Sequence, residues 1–168
     1  MKNDVHILIA DDDMGHVNLI QKNLRRWGIT NPIIHFKDGQ EVLDFLFKIP
    51  KSNLSHQENN YYLLLLDIRM PKLDGMEVLQ RVKMDPELKK IPIIMLSTTD
   101  DPVDIERCHF FGCSTYIIKP IQYDKFVDAI RVLALFLDVI EVPSIKVYTN
   151  DNPRGPIAKI SAHENMKT

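Results

Sequence analysis

Five short apolar runs alternate with amphipathic stretches along this chain, and this alternation limits its possible folds most strongly. The runs predict strands at residues 5–10, 32–36, 61–66, 92–96 and 115–118. They are continuously apolar, which is typical of strands buried on both faces of a parallel sheet. We therefore expect an α/β fold, a doubly wound five-stranded parallel sheet with helices on both of its faces.

The stretches between and after these runs show helical periodicity. Helices are predicted at residues 13–27, 38–48, 75–84, 102–111 and 122–140. In the first of them, the spacing predicts that one face packs into the core through Val17, Ile20, Leu24 and Trp27. Residues 49–60 are polar and irregular, which indicates a surface loop.

The length of 168 residues suits one domain with a substantial core. We expect that domain to cover residues 1–141, because the composition shifts toward Pro, Asn, Lys and Ser beyond it. Residues 142–168 are too few for a second domain. They are predicted to be an extension with a short strand at residues 145–149 and a frayed end.

Composition excludes several classes of protein. The formal net charge of −2 provides no electrostatic footprint for nucleic acid or an anionic membrane. No apolar stretch reaches the roughly 20 residues of a membrane helix, and no signal peptide precedes the first strand. Cys108 and Cys113 suggest no disulfide framework, which fits a reducing compartment. The expected location is the cytoplasm.

Polar side chains follow four of the predicted strands. The triplet Asp11-Asp12-Asp13 follows the first strand, Asp67 the third, Ser97-Thr98-Thr99 the fourth and Lys119-Pro120 the fifth. Parallel strands end at one edge of the sheet, so we expect these side chains to converge there. One aspartate of the triplet, best Asp13, is also expected to cap the first helix.

Clustered carboxylates need a cation, and oxygen ligands without a Cys/His set favour Mg²⁺. A lysine and a hydroxyl facing the same metal suit a phosphoryl group. The chemistry that this set predicts is phosphoryl transfer to a carboxylate, which gives an aspartyl phosphate.

Several motifs over residues 5–140 occur in a familiar order and spacing. They are Asp11-Asp12, Asp67 with Met70-Pro71 and Asp74-Gly75, Ser97, Tyr116 and Lys119-Pro120. Together they resemble the receiver domain of two-component response regulators, which has a flavodoxin-like fold. The resemblance implies that the chain is no enzyme beyond its own phosphorylation and dephosphorylation, and that a sensor histidine kinase is its partner.

The resemblance also implies roles for individual residues. Asp67 would be the phosphoacceptor. Mg²⁺ would be bound by Asp12, Asp67 and the backbone carbonyl of Arg69, with Asp11 acting through water. The phosphoryl group would be contacted by Lys119, Ser97 and Thr98. Ser97 and Tyr116 would switch the surface of helix 4, strand 5 and helix 5, and Lys119-Pro120 would be a cis peptide.

A finer resemblance lies within the family. The loop before the third strand, residues 85–92 and the absence of an output domain are similar to the stand-alone regulators of bacterial phytochrome-type histidine kinases. Three positions depart from the usual pattern: Ser97 replaces Thr, Thr98 replaces a small residue, and Arg69 is a large cation beside the metal site. We expect Arg69 and Thr98 to affect the lifetime of the phosphate.

An alternative from another class is a phosphatase of the haloacid-dehalogenase type. Residues 7–13 resemble the strand end of that family, with Asp11 as nucleophile, and Ser97 and Lys119 could fill its second and third motifs. Against it, no acidic pair follows a strand after Lys119, and the role of Asp67 would be unexplained.

The final helix carries more apolar surface than one core contact requires. A first stripe, which we assign to the core, consists of Phe126, Ile130, Leu133, Leu137 and Ile140. A second stripe beside it consists of Ala129, Val132, Phe136 and Val139. The surplus predicts a partner surface, with a homodimer favoured. Alternatively, residues 142–168 could fold back over it.

Overall fold

The computed structural model describes residues 5–48 and 60–145. Its strands are β1 (Val5–Ala10), β2 (Ile33–Phe36), β3 (Tyr61–Leu66), β4 (Ile93–Ser97) and β5 (Thr115–Ile118). They form one sheet in the order β2-β1-β3-β4-β5, and every neighbouring pair is parallel. The predicted five-stranded doubly wound fold is thereby confirmed.

Five α-helices connect and follow these strands. They are α1 (Met14–Arg26), α2 (Gly39–Lys48), α3 (Gly75–Met84), α4 (Pro102–Phe110) and α5 (Tyr123–Val139), with a short 3₁₀ turn at Leu88–Lys90. Asp13, Asp74 and Asp101 cap α1, α3 and α4, because each side chain accepts backbone amides of the first helical turn.

The sheet separates two hydrophobic clusters. The first lies between the sheet and α2, α3 and α4, and the second lies between the sheet and α1 and α5. Leu64 and Leu66 of β3 face the first cluster, whereas Leu63 and Leu65 face the second. This two-sided burial explains why the strand is leucine at four successive positions.

Trp27 corrects one prediction about the core. Its side chain is 43% exposed, whereas Val17, Ile20 and Leu24 are buried as expected. The helix ends at Arg26, so Trp27 occupies the C-cap and leaves the helical stripe. The guanidinium carbons of Arg26 and Arg131 lie 5.7 and 6.0 Å from its ring centroid, within range of cation–π attraction.

The chain beyond α5 packs back on the sheet as far as it is described. Val142 and Ile145 are buried, and Ile145 forms an antiparallel bridge with Asn60 in which its amide donates to the Asn60 carbonyl at 2.9 Å. The other residues of the predicted strand at 145–149 lie outside the described residues, as do residues 49–59 of the predicted loop at 49–60. The division of the chain at residue 141 stays a prediction.

In the part of the chain that the structure describes, none of the helices combines the length and the apolar character that a membrane span requires.

Candidate functional site

The carboxyl ends of β1, β3 and β5 bring three charged side chains together. Lys119 Nζ lies 2.7 Å from Asp11 Oδ2 and 3.2 Å from Asp67 Oδ2. Lys119 and Asp11 are only 3% and 2% exposed. A buried ammonium is tolerated where carboxylates pair with it, so the site contains its own counter-ion.

The acidic side chains that follow β1 and β3 form one cluster. A carboxylate oxygen from each of Asp11, Asp12 and Asp67 lies within 4.8 Å of the others. Asp12 is exposed, whereas Asp67 is half-buried. Hard oxygen donors at this spacing, open to water on the Asp12 side, fit the preference of Mg²⁺ for carboxylates plus retained waters.

Asp67 has two oxygens in different surroundings. Its Oδ1 accepts a hydrogen bond from the Ile68 amide at 2.8 Å, and its Oδ2 faces Lys119. Burial raises the pKa of Asp67, the nearby ammonium of Lys119 opposes that rise, and Asp11 adds to it. A carboxylate that is desolvated yet paired with a cation is a suitable nucleophile for an electrophilic phosphorus.

Backbone and ring contacts hold the Asp11 peptide in place. The Asp11 amide donates to the Phe36 carbonyl at 3.1 Å, and Asp11 Oδ1 accepts from the Asp13 amide at 3.0 Å. His35 Nε2 lies 2.8 Å from the Asp11 carbonyl oxygen. Sequence analysis missed His35, whose only signal was its place near the end of a strand neighbouring β1.

The loop from Ile68 to Gly75 folds tightly against the strand end. The Gly75 amide donates to the Ile68 carbonyl at 2.7 Å. A Cβ at Gly75 would lie 2.0 Å from the Asp67 carbonyl oxygen, so a side chain there is excluded. Arg69 is exposed in this loop, and the metal-binding role of its carbonyl stays a prediction.

Ser97 and Tyr116 meet at the loop between β4 and α4. Ser97 is fully buried, and its Oγ accepts the Thr99 amide at 3.4 Å. The Tyr116 hydroxyl donates to the Thr99 carbonyl at 3.0 Å. Burial raises the pKa of Tyr116, and a hydrogen bond with Ser97 opposes the rise. Thr98 is exposed beside them.

The structure contradicts the expected cis peptide at Lys119-Pro120. Within residues 5–48 and 60–145, no peptide bond is cis. The trans form is the intrinsic preference even before proline, by about 0.5–1 kcal/mol.

Comparison with known proteins places this chain in a family. Residues 7–131 match the response regulator receiver domain, which is more than half of the chain. The chain therefore belongs to the response regulator receiver family of two-component signalling. The match includes both Asp11 and Asp67, and it does not favour the phosphatase alternative.

Three similar proteins show where in this family the chain lies. A receiver domain from Rhodospirillum rubrum is 38% identical with a TM-score of 0.76, covering 83% of this chain and 98% of that chain. Response regulator Rcp1 of Synechocystis is 29% identical over 139 residues, 82% of this chain and 92% of Rcp1. Its Mn²⁺-bound structure, 27% identical, has a TM-score of 0.72 over 82% of this chain and 98% of that one.

The third is the phosphorylated cyanobacterial phytochrome response regulator RcpA. It is 28% identical with a TM-score of 0.72, covering 83% of this chain and 98% of RcpA. The predicted resemblance to the stand-alone regulators of phytochrome-type kinases is thereby confirmed.

Proposed function

We propose that this chain accepts a phosphoryl group on Asp67 from a phosphohistidine of a sensor histidine kinase. An Asp67 oxygen forms the new P–O bond, the P–N bond of the phosphohistidine breaks, and the leaving imidazole nitrogen takes a proton. The observation that carries the proposal is Lys119, whose buried ammonium lies 3.2 Å from Asp67 Oδ2. Next to that oxygen it can stabilise the charge of the transferred group.

Mg²⁺ is the cofactor in this proposal. Asp12, Asp67 and the Arg69 carbonyl would bind it directly, and Asp11 would act through a bound water. The fit of the acidic cluster and the Mn²⁺-bound form of Rcp1 support a divalent cation here. When bound, the cation neutralises charge on the transferred phosphoryl oxygens. Lys119, Ser97 and Thr98 would contact the same oxygens.

Phosphorylation would shift the loop that Ser97 and Tyr116 share. A phosphoryl group on Asp67 offers acceptor oxygens to the Ser97 hydroxyl, which now accepts from the Thr99 amide. If the Ser97 hydroxyl turns to the phosphate, the Thr99 amide loses its acceptor and Thr99 is held less firmly. The hydrogen bond from the Tyr116 hydroxyl to the Thr99 carbonyl is then weakened. The surface formed by α4, β5 and α5 would then move between two states whose populations the phosphate sets.

A kinase of the phytochrome type is the proposed donor, because RcpA is a phytochrome response regulator of similar fold. Arg69 and Thr98 are both exposed at the rim of the site. We propose that they control access of water to the aspartyl phosphate, and so its lifetime.

The test is incubation of the full chain with acetyl phosphate and Mg²⁺, followed by mass mapping of the phosphorylated peptide. We expect one phosphoryl group on Asp67 and none in the Asp67→Asn variant. Asp44→Asn is the matched control, because it removes a carboxylate charge on α2, outside the site, where Asp44 pairs with Lys48. Label on Asp11, or continuous turnover of phosphomonoesters, would refute the proposal in favour of a phosphatase.

We also propose that the second stripe of α5 contacts a second copy of this chain. Val132, Phe136 and Val139 are 59%, 44% and 77% exposed, and Ala129 is half-buried between them and the core. Ile145, the last described residue, pairs with Asn60, and the stripe is exposed in the described part of the chain. Sedimentation at several concentrations should show a dimer that Val132→Glu dissociates. A monomer at every concentration would refute the contact.

A further inference from the structure

The tip of the loop from Ile68 to Gly75 is anchored to the start of α2 by one ion pair. Lys72 Nζ donates to Asp38 Oδ2 at 2.6 Å. The Asp38 side chain is only 2% exposed, whereas that of Lys72 is 60% exposed. The contact joins residues 34 positions apart, so it is tertiary rather than part of one helix.

The backbone of Lys72, next to this contact, has an unusual conformation. Its φ is +65°, a region that non-glycine residues seldom occupy, and Lys72 is the only such residue in the part of the chain that the structure describes. The Leu73 amide donates to the Pro71 carbonyl at 2.8 Å, which closes a γ-turn around Lys72. A γ-turn with positive φ is the rarer and more strained kind, and it persists only where its surroundings hold it.

The Asp38 carboxylate is itself fixed at the start of α2. Its Oδ1 accepts the Glu41 amide at 2.8 Å at the start of α2, which leaves Oδ2 for Lys72. The hydrogen bond from Lys72 holds the pKa of Asp38 below its usual value, so the carboxylate stays charged at neutral pH. A Cβ at Gly39 would lie 2.2 Å from the Leu73 carbonyl oxygen, so the loop tip also touches the helix start directly.

The same loop is fixed at its other end against the phosphoacceptor. Gly75 packs on the Asp67 carbonyl and donates its amide to Ile68. Arg69, whose carbonyl is the proposed backbone ligand, therefore lies between two anchors: the strand end at Asp67 and the ion pair at Lys72. A residue that fixes a ligand-bearing loop from outside acts as an outer-shell partner of the metal.

We propose that the Lys72–Asp38 ion pair is a positioning device that holds this loop in the conformation that binds the divalent cation. The inference rests on the proposed Mg²⁺ site. Neither side chain touches the cation in this role. Loss of the pair lets the strained turn relax, and the carbonyl ligand is then no longer pre-organised.

The test is calorimetric titration of the full chain with Mg²⁺ alone, without phosphorylation. Lys72→Met should weaken Mg²⁺ binding by roughly tenfold, the lower end of what loss of an outer-shell partner costs a metal site. Electrostatics alone predicts that Lys72→Met binds Mg²⁺ more tightly, because removing a positive charge near a cation site strengthens cation binding. Lys72→Arg should restore most of the affinity.

Lys48→Met is the matched control. Lys48 pairs with Asp44 at 3.1 Å on the same helix, has a similarly exposed side chain, and carries the same charge. We expect its Mg²⁺ affinity to match that of the unaltered protein. Asp38→Asn tests the partner, because its amide oxygen can still cap α2 while the charge is lost.

Hydrogen exchange at the Leu73 amide provides a second readout that does not depend on the metal. Its protection should fall in Lys72→Met and Asp38→Asn and persist in Lys48→Met. Lower thermal stability in Lys72→Met with unchanged Mg²⁺ affinity and Leu73 protection would overturn the inference and leave the proposed function intact. Failure of the unaltered protein to bind Mg²⁺ would overturn both.

Discussion

The helices α3 and α4 both follow strands of the site, yet they are held to the protein very differently. In α3, five residues are buried: Gly75, Met76, Val78, Leu79 and Val82. Of the nine residues of α4, all of which are described, Cys108 is the one that is buried. Both helices begin with an aspartate cap, Asp74 for α3 and Asp101 for α4. Their N-termini are therefore stabilised in the same way, and the two helices differ in how much of their surface packs into the core.

This difference in packing indicates that the α3 side of the site is fixed, whereas the α4 side can move. The loop into α3 carries the proposed carbonyl ligand and ends in a helix that is part of the core. The loop into α4 carries Thr99, which both Ser97 and Tyr116 contact, and ends in a helix with little apolar burial. Segments with few buried apolar contacts open at lower free energy, so we expect α4 to open more easily than α3. Under the proposed function, α4 is the element that a phosphate would shift.

The largest expected effect comes from truncating the packed face of each helix. Leu79→Ala should lower the free energy of unfolding by about 3 kcal/mol, because Leu79 is fully buried and leaves a cavity. Cys108→Ala removes a single sulfur and should cost about 1 kcal/mol. Urea unfolding at equilibrium measures both. Equal losses would mean that α4 is as firmly attached as α3.

An intermediate effect is expected from removing the two helix caps. Asp74→Ala should cost about 1 kcal/mol, the usual value for loss of an aspartate cap. Asp101→Ala should cost less than half as much in global unfolding, because a helix that opens locally adds to global stability only up to its own opening free energy. If the two variants shift the urea midpoint equally, α4 does not open more readily than α3.

The most local effect is expected from Tyr116→Phe. This change removes the hydrogen bond to the Thr99 carbonyl just before α4, which is worth about 0.5–1 kcal/mol. Hydrogen exchange of the α4 amides should accelerate, while the α3 amides stay unchanged. Acceleration in both helices, or in neither, would show that this bond does not control α4 selectively.

The positions of the strands and the residues of the central site were predictable from sequence, because simple rules govern both. Continuous apolar runs marked the strands, and the strand-end rule brought Asp11, Asp67 and Lys119 to one edge. Trp27 was misplaced because periodicity does not show where a helix ends, and the helix stops one residue earlier. Lys119-Pro120 was expected to be cis from family resemblance alone, and the chain keeps the trans form.

The Lys72–Asp38 ion pair could not be predicted for a different reason. Nothing local links the two residues, and the contact depends on a backbone angle that lysine seldom adopts. His35 is a similar case, since its contact with the Asp11 carbonyl depends on strand order, with β2 at the edge beside β1. Long-range contacts of this kind follow from the assembled sheet and not from sequence spacing.

Because Lys119 lies between Asp11 and Asp67, we expect the chain to fold whether or not the proposed metal is bound. Buried carboxylates without a cation would repel each other, and such a chain would depend on Mg²⁺ to fold. Here one side chain already pairs with both. A fall in cellular Mg²⁺ would therefore leave the amount of folded protein, and its turnover by proteases, nearly unchanged. Under the proposed function, it would lower only the fraction that is ready to receive a phosphoryl group.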